Sequence, residues 1–149
     1  MSHFSWMTRA TAVSVPIMSE YTKINLADVV DIAPQYGMDS MGEARFARQP
    51  LGAERIGLAH YRVHPGQRAS FGHRHGEDEE VYLVLAGAGR FKIGDDVIDV
   101  GPRDVVYVPP ASMRAWEAGD EGLEMIAFGA HTEDGGFEME QNWWTDDTP

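Results

Sequence analysis

Residues 65–89 read PGQRASFGHRHGEDEEVYLVLAGAG, and this stretch decides the fold. In an extended strand successive side chains point to opposite faces. His73 and His75 therefore share one face, with Ala69 and Phe71 before them, while Arg74 turns the other way. A short turn, Gly76 to Glu79, leads into a second strand whose first residue, Glu80, returns a carboxylate toward the two imidazoles, with Tyr82 and Val84 following on the same face. Two neutral imidazoles and one carboxylate are a ligand set suited to a first-row divalent ion with positions left open for a small molecule. Glu79 is the rival carboxylate, but it falls on the opposite strand face.

Outward from this stretch the pattern stays β-rich. Short runs at Arg55–His64, Arg68–His75, Glu80–Leu85, Arg90–Ile93, Val97–Val100, Asp104–Val108, Met113–Trp116 and Leu123–Phe128 are separated by turn signals: PG at Pro65, GAG at Gly87, GDD at Gly94, GPR at Gly101 and PPAS at Pro109. No helical segment of crossover length lies between them, which argues against a parallel βαβ sheet. The expectation is an all-β jelly-roll barrel. Before it, Asn25 is placed to cap a short helix carrying Leu26, Val29, Val30 and Ala33 on one face, with Pro34 as the stop. Residues 1–20 read as an extended or flexible arm, leaving 21–149 as one barrel domain. The closing NWWTDDTP reads as an aromatic plug followed by a frayed end.

The run His73-x-His75, four residues, Glu80, six residues, Gly87 resembles the first signature motif of the cupin superfamily, with Pro65-Gly66 standing where its leading Pro-Gly does. The resemblance spans roughly 55–129 and includes GDDVIDVGPRDVVYVPP, which looks like the entry to the family's second motif. It implies a double-stranded β-helix of the small single-domain kind. It also implies a divalent transition metal (iron, manganese, nickel or zinc) on His73, His75 and Glu80, and oxygenase or isomerase chemistry on a small molecule. The second motif departs from the family pattern. Aligned on Pro109, Arg103 stands at its leading glycine, Ala111 at its second glycine, Arg114 at its histidine and Ala118 at its asparagine. That histidine is usually the fourth metal ligand, and a guanidinium does not deprotonate to replace it.

Arg114 therefore sets the alternatives. At about 5 Å its repulsion of a divalent ion is of order 6 kcal/mol at an effective dielectric near 20. Either the metal is joined by an anionic ligand near Arg114, with Tyr82, Phe71 and Trp116 lining the pocket, or the site is metal-free, Arg114 pairs with Glu80, and the protein is a ligand-binding or sensory module. His60, Arg62 and His64 share a strand face directed to solvent or a partner, and His131 follows the last strand as an exposed loop residue.

The chain has 149 residues, 43% hydrophobic and 24% charged, enough for one domain with a core that needs neither disulfides nor a structural metal. Zero cysteines exclude thiolate catalysis and Cys-ligated metals. A formal charge of −12 repels phosphate backbones and anionic lipids, which argues against nucleic acid and membranes as partners. The charge is concentrated: from Glu117 onward there are ten acids and no Lys or Arg, which reads as a solvated, self-repelling face or tail. Val81, Leu83 and Leu85 place apolar side chains on the face opposite Glu80 and Tyr82, and such a face implies a homodimer. A cytoplasmic location is expected.

Overall fold

The computed structural model describes residues 21–145. The expected N-terminal arm and the last four residues lie outside this range. Eight strands carry the fold: β1 (Gly42–Phe46), β2 (Ile56–Val63), β3 (Phe71–Arg74), β4 (Glu80–Ile93), β5 (Asp96–Val100), β6 (Val105–Val108), β7 (Arg114–Ala130) and β8 (Glu138–Gln141). All named pairings are antiparallel, running β1-β2-β7-β3-β8, with β4 joined to β5, β6 and β7. The curled sheet is the expected all-β barrel.

Two strands are longer than the sequence pattern implies. Glu80–Leu85 and Arg90–Ile93 are one strand, β4, and Met113–Trp116 and Leu123–Phe128 are joined within β7. Gly87–Gly89, read as a turn, is instead a bulged bend where the β4–β7 register shifts. The glycines are needed for backbone proximity: a Cβ at Gly87 would meet the Gly122 carbonyl oxygen at 2.0 Å, and one at Gly89 would meet that of Glu117 at 2.2 Å. Bending both long strands at the same level lets a single β4–β7 pair line two walls of the barrel.

The helix expected after Asn25 is reduced to a 3₁₀ turn, Leu26–Asp28, with the Asn25 side chain accepting from the Ala27 amide. Val29 is buried but Val30 is exposed, so the face that would have supported a longer helix is split. Pro34 opens a second turn, Ala33–Tyr36, rather than ending the first. A one-turn helix, α1 (Arg48–Leu51), follows β1. Among the described residues no helix is long and apolar enough to cross a membrane.

Part of the acidic C-terminal block is paired within the barrel wall rather than solvated. Glu117 in β7 accepts from Arg68 at 2.6 Å and Arg90 at 2.7 Å, and Glu124 lies 2.8 Å from His60. Burial pushes the Glu117 carboxyl up, but the hydrogen bonds from Arg90 and Arg68 outweigh it and hold it below the ordinary value. The same two arginines sit over the ring of Trp144, which is buried, so the aromatic plug is real and is held by cations. Inside the barrel Tyr82, Val84, Phe91, Val108, Leu123 and Met125 form the closed core.

Arg103 has φ +73°, a left-handed conformation that glycine adopts without strain. That matches its alignment with a glycine of the second motif. Arg103→Gly is expected to raise unfolding stability by about 0.5–1 kcal/mol, the relief of left-handed strain less the added unfolded-state entropy. Thermal unfolding of both proteins checks it, and a lower melting temperature in the variant would overturn the strain argument.

Candidate metal centre

β3 delivers His73, and His75 follows as the strand ends. Their rings lie 5.3 Å apart with planes at 82°. Glu80, the first residue of β4, brings Oε2 to 3.5 Å from His73 Nε2 and 3.3 Å from His75 Nε2. One ligand atom from each of the three falls within 4.8 Å of the others, as the spacing implies. Glu79 points away and accepts from the Tyr107 hydroxyl at 2.9 Å, so the strand-face argument for Glu80 is met by the geometry. Arg74 also faces away, pairing with Glu138.

The surroundings fix these groups. His75 Nδ1 lies 3.1 Å from the Gly136 carbonyl, an acceptor only, so Nδ1 carries the hydrogen and the neutral ring presents a bare Nε2 toward the site. That buried Nε2 has no hydrogen-bond partner although the Glu80 carboxylate is near. The donor set, two imidazole nitrogens and a carboxylate, fits a divalent metal. His73 stacks on Phe137 at 5.5 Å and meets Trp116 edge-on at 5.9 Å.

Electrostatics follow from burial and from Glu80. Burial raises the Glu80 carboxyl, but the His73 and His75 rings beside it and the hydrogen bond from Tyr82 more than offset it and hold the pKa far below the ordinary range. Burial pushes His73 down, with Glu80 acting against it. His75 goes up because the Glu80 carboxylate, 3.3 Å from its Nε2, favours the charged ring more than burial opposes it. Burial, followed by the charge of Glu80, pushes the Tyr82 phenol well up.

Arg114 stands directly opposite His73 in the β3–β7 pairing. Its side chain is fully buried. Nη1 donates to the carbonyls of Ser112 at 3.1 Å and His73 at 3.3 Å, and Nη2 lies 3.5 Å from Glu80 Oε2. Nε and Nη2 make no hydrogen bond, so the pair with Glu80 is close but not a fork.

A cavity of about 320 Å³ opens onto the trio, walled largely by apolar groups including Met41, Tyr61, Phe71, Trp116 and Phe137. Phe71 and Trp116, expected at the pocket, line this cavity. Tyr82 and Arg114 line neither this cavity nor a second one of about 400 Å³, because both are spent on Glu80: Tyr82 donates its hydroxyl to Glu80, and Arg114 lies behind it. His131 lines the second cavity rather than joining the trio. His60 is buried against Glu124, not directed to solvent. Sequence reading passed over Gly136 and Phe137; the only local signal was a Gly-Gly pair before an aromatic.

The family described as Cupin domain matches residues 59–129. These residues form a cupin domain. Its β-barrel resembles a cupin protein from Bacteroides fragilis at TM-score 0.64, with 16% identity over 89% of this chain and 98% of that one. Oxalate decarboxylase from Bacillus subtilis gives 0.65 with 23% identity over 85% of this chain and 33% of its own length. A sugar phosphate isomerase of the cupin superfamily from Silicibacter pomeroyi gives 0.63 with 18% identity over 81% and 93%. Likeness at these identities establishes the fold. No curated protein matches the sequence closely enough to count as a relative. Within the cupin frame, a His73–His75–Glu80 group able to hold a metal is present, and the position of the usual fourth ligand is taken by Arg114.

Proposed function

We propose that this cupin binds a divalent transition metal (iron, manganese, nickel or zinc) through His73, His75 and Glu80, and there takes a small anionic molecule as a metal-dependent oxygenase or isomerase. The observation that carries the reading is the convergence of the three ligand atoms within 4.8 Å at the inner end of an apolar cavity. A bound metal would act as a Lewis acid on a donor atom of the ligand. Phe71, Trp116 and Phe137 would exclude water and hold an apolar body, while Tyr82 keeps Glu80 ionised and aimed.

The anionic character follows from charge. A divalent ion, the Glu80 carboxylate and the Arg114 guanidinium sum to two positive charges in a buried site, and an anionic donor offsets them. The names of two structural neighbours, oxalate decarboxylase and sugar phosphate isomerase, also point to anionic substrates. The second reading, a metal-free binding module, is favoured by one observation: Arg114 already lies 3.5 Å from Glu80. Elemental analysis of protein purified without added metal separates the two. Near one metal per chain, as purified or after reconstitution, is expected; less than about 0.1 with no gain on reconstitution would sink the metal reading.

In this reading the protein acts in the cytoplasm as a homodimer. Leu85, Val105 and Tyr107 are exposed on one outer face, with Val81 opposite Tyr107 and Leu83 opposite Val105 across the β4–β6 pair. Light scattering at micromolar concentration should give twice the chain mass, and a monomer mass would refute it.

A further inference from the structure

The second cavity touches the same site from another side. Phe46, Tyr61, His75 and Glu80 line both cavities, so a ligand in either one abuts the trio. The two differ in chemistry. The second carries Arg48 and Gln49 of α1 and His131, all hydrogen-bond donors, where the first is nearly all apolar.

Arg48 differs from six other arginines of the described residues. Arg45, Arg62, Arg68, Arg74, Arg90 and Arg114 each lie within ion-pairing distance of a carboxylate. Among the described residues Arg48 has no such partner, and its side chain is half-buried beside the cavity. The two carboxylates lining the cavity are engaged elsewhere. Asp78 accepts from the amide and hydroxyl of Thr132, and Glu80 faces His73, His75 and Tyr82. Arg48 is therefore the one guanidinium lining the cavity, and no carboxylate among the described residues holds it.

The space itself is made by small residues. Gly57 faces Gly129, and Ala59 faces Ala127, across the β2–β7 pair, and all four line the cavity. Gly57 has no conformational need to be glycine: its φ is not in the left-handed region, and an added Cβ would meet only the Gly129 carbonyl oxygen at an ordinary 3.5 Å.

The geometry points to the second cavity as an anion subsite, with Arg48 as the specificity-determining residue that takes the oxyanion end, carboxylate or phosphate, of a small organic ligand. A planar guanidinium offers paired donors that match either group. Gln49 and His131 supply further donors, and the rest of the ligand reaches the wall formed by His75 and Glu80. This goes beyond the metal reading, because Arg114 lines neither cavity and so leaves open which group receives the ligand's charge.

The test uses full-length, chelator-treated, ¹⁵N-labelled protein titrated with propionate, methyl phosphate and neutral propionamide, followed by amide shifts. Propionate or methyl phosphate should shift the amides of Gly57, Ala130 and His131 saturably, and whichever binds more tightly identifies the oxyanion. Arg48→Gln should weaken that binding tenfold or more, and Gly57→Leu, which fills the cavity with Arg48 intact, should abolish it. Propionamide should bind at least tenfold more weakly than the anion. No saturable shift with either anion, wild-type affinity in Arg48→Gln, or equal affinity for propionamide would each overturn the subsite. Among the described residues Arg48 makes no side-chain hydrogen bond or ion pair, so its variant stands even if Gly57→Leu fails to fold. Chelated protein carries no metal, so failure here is distinct from failure of the metal reading.

Discussion

His73→Ala and His75→Ala are each expected to lose stoichiometric binding of a divalent metal such as zinc or manganese. Each ring supplies one of only three protein donors, and Arg114 leaves no imidazole in reserve at the usual fourth position. Glu80→Gln should weaken binding without abolishing it, since an amide oxygen keeps the shape of the ligand and loses its charge. Glu79→Gln should leave affinity unchanged, because that carboxylate accepts from Tyr107 away from the site. Titration calorimetry with elemental analysis reads all four, and far-ultraviolet circular dichroism confirms that each protein is folded. Equal loss in Glu79→Gln with none in Glu80→Gln would mean that the ligand set is misassigned.

Arg114→His should move two affinities in opposite directions. A neutral imidazole removes a positive charge whose Nη2 lies 3.5 Å from the ligating carboxylate and returns a fourth donor opposite His73, so metal affinity should rise at least tenfold. The loaded site then falls from two net positive charges to one, and a carboxylate or phosphate donor to the metal should bind more weakly. The metal-free variant should be less stable, by roughly 1–3 kcal/mol, because the carbonyls of Ser112 and His73 lose their buried donor. Paired calorimetric titrations, metal first and then small anions, read the two affinities, and chemical denaturation reads the third effect. Unchanged metal affinity would show that the guanidinium does not govern the site.

The parts of this protein readable in its sequence are those set by local rules. Alternation along a strand put His73 and His75 on one face and Glu79 and Glu80 on opposite faces, and the structure keeps all four as read. Turn residues at Pro65, Gly94, Gly101 and Pro109 lie between strands as expected. The same turn logic failed at Gly87–Gly89, since a glycine needed for close backbone approach carries the same letter as one needed for a turn. Edge strands were missed for a related reason. Glu138–Gln141 is exposed at every position, so it has no apolar period, and only its pairing with β3 makes it a strand.

Composition and short-range spacing, taken alone, determined an all-β barrel, a His-His-Glu cluster across the turn between two successive strands, and an acidic chain. Tertiary structure decided what the remaining charged groups are for. Of the arginines that the sequence presents as equals, folding buries Arg114 behind Glu80 and leaves Arg48 half-buried on a cavity with no carboxylate partner. It likewise turns part of the acidic block into partners for Arg68, Arg90 and His60. The physical reason is range: side-chain direction repeats over two residues in a strand, whereas an ion pair, a cavity wall or the Gly136 carbonyl that orients His75 depends on residues roughly 30 to 60 positions apart, brought together only by how β4 and β7 bend.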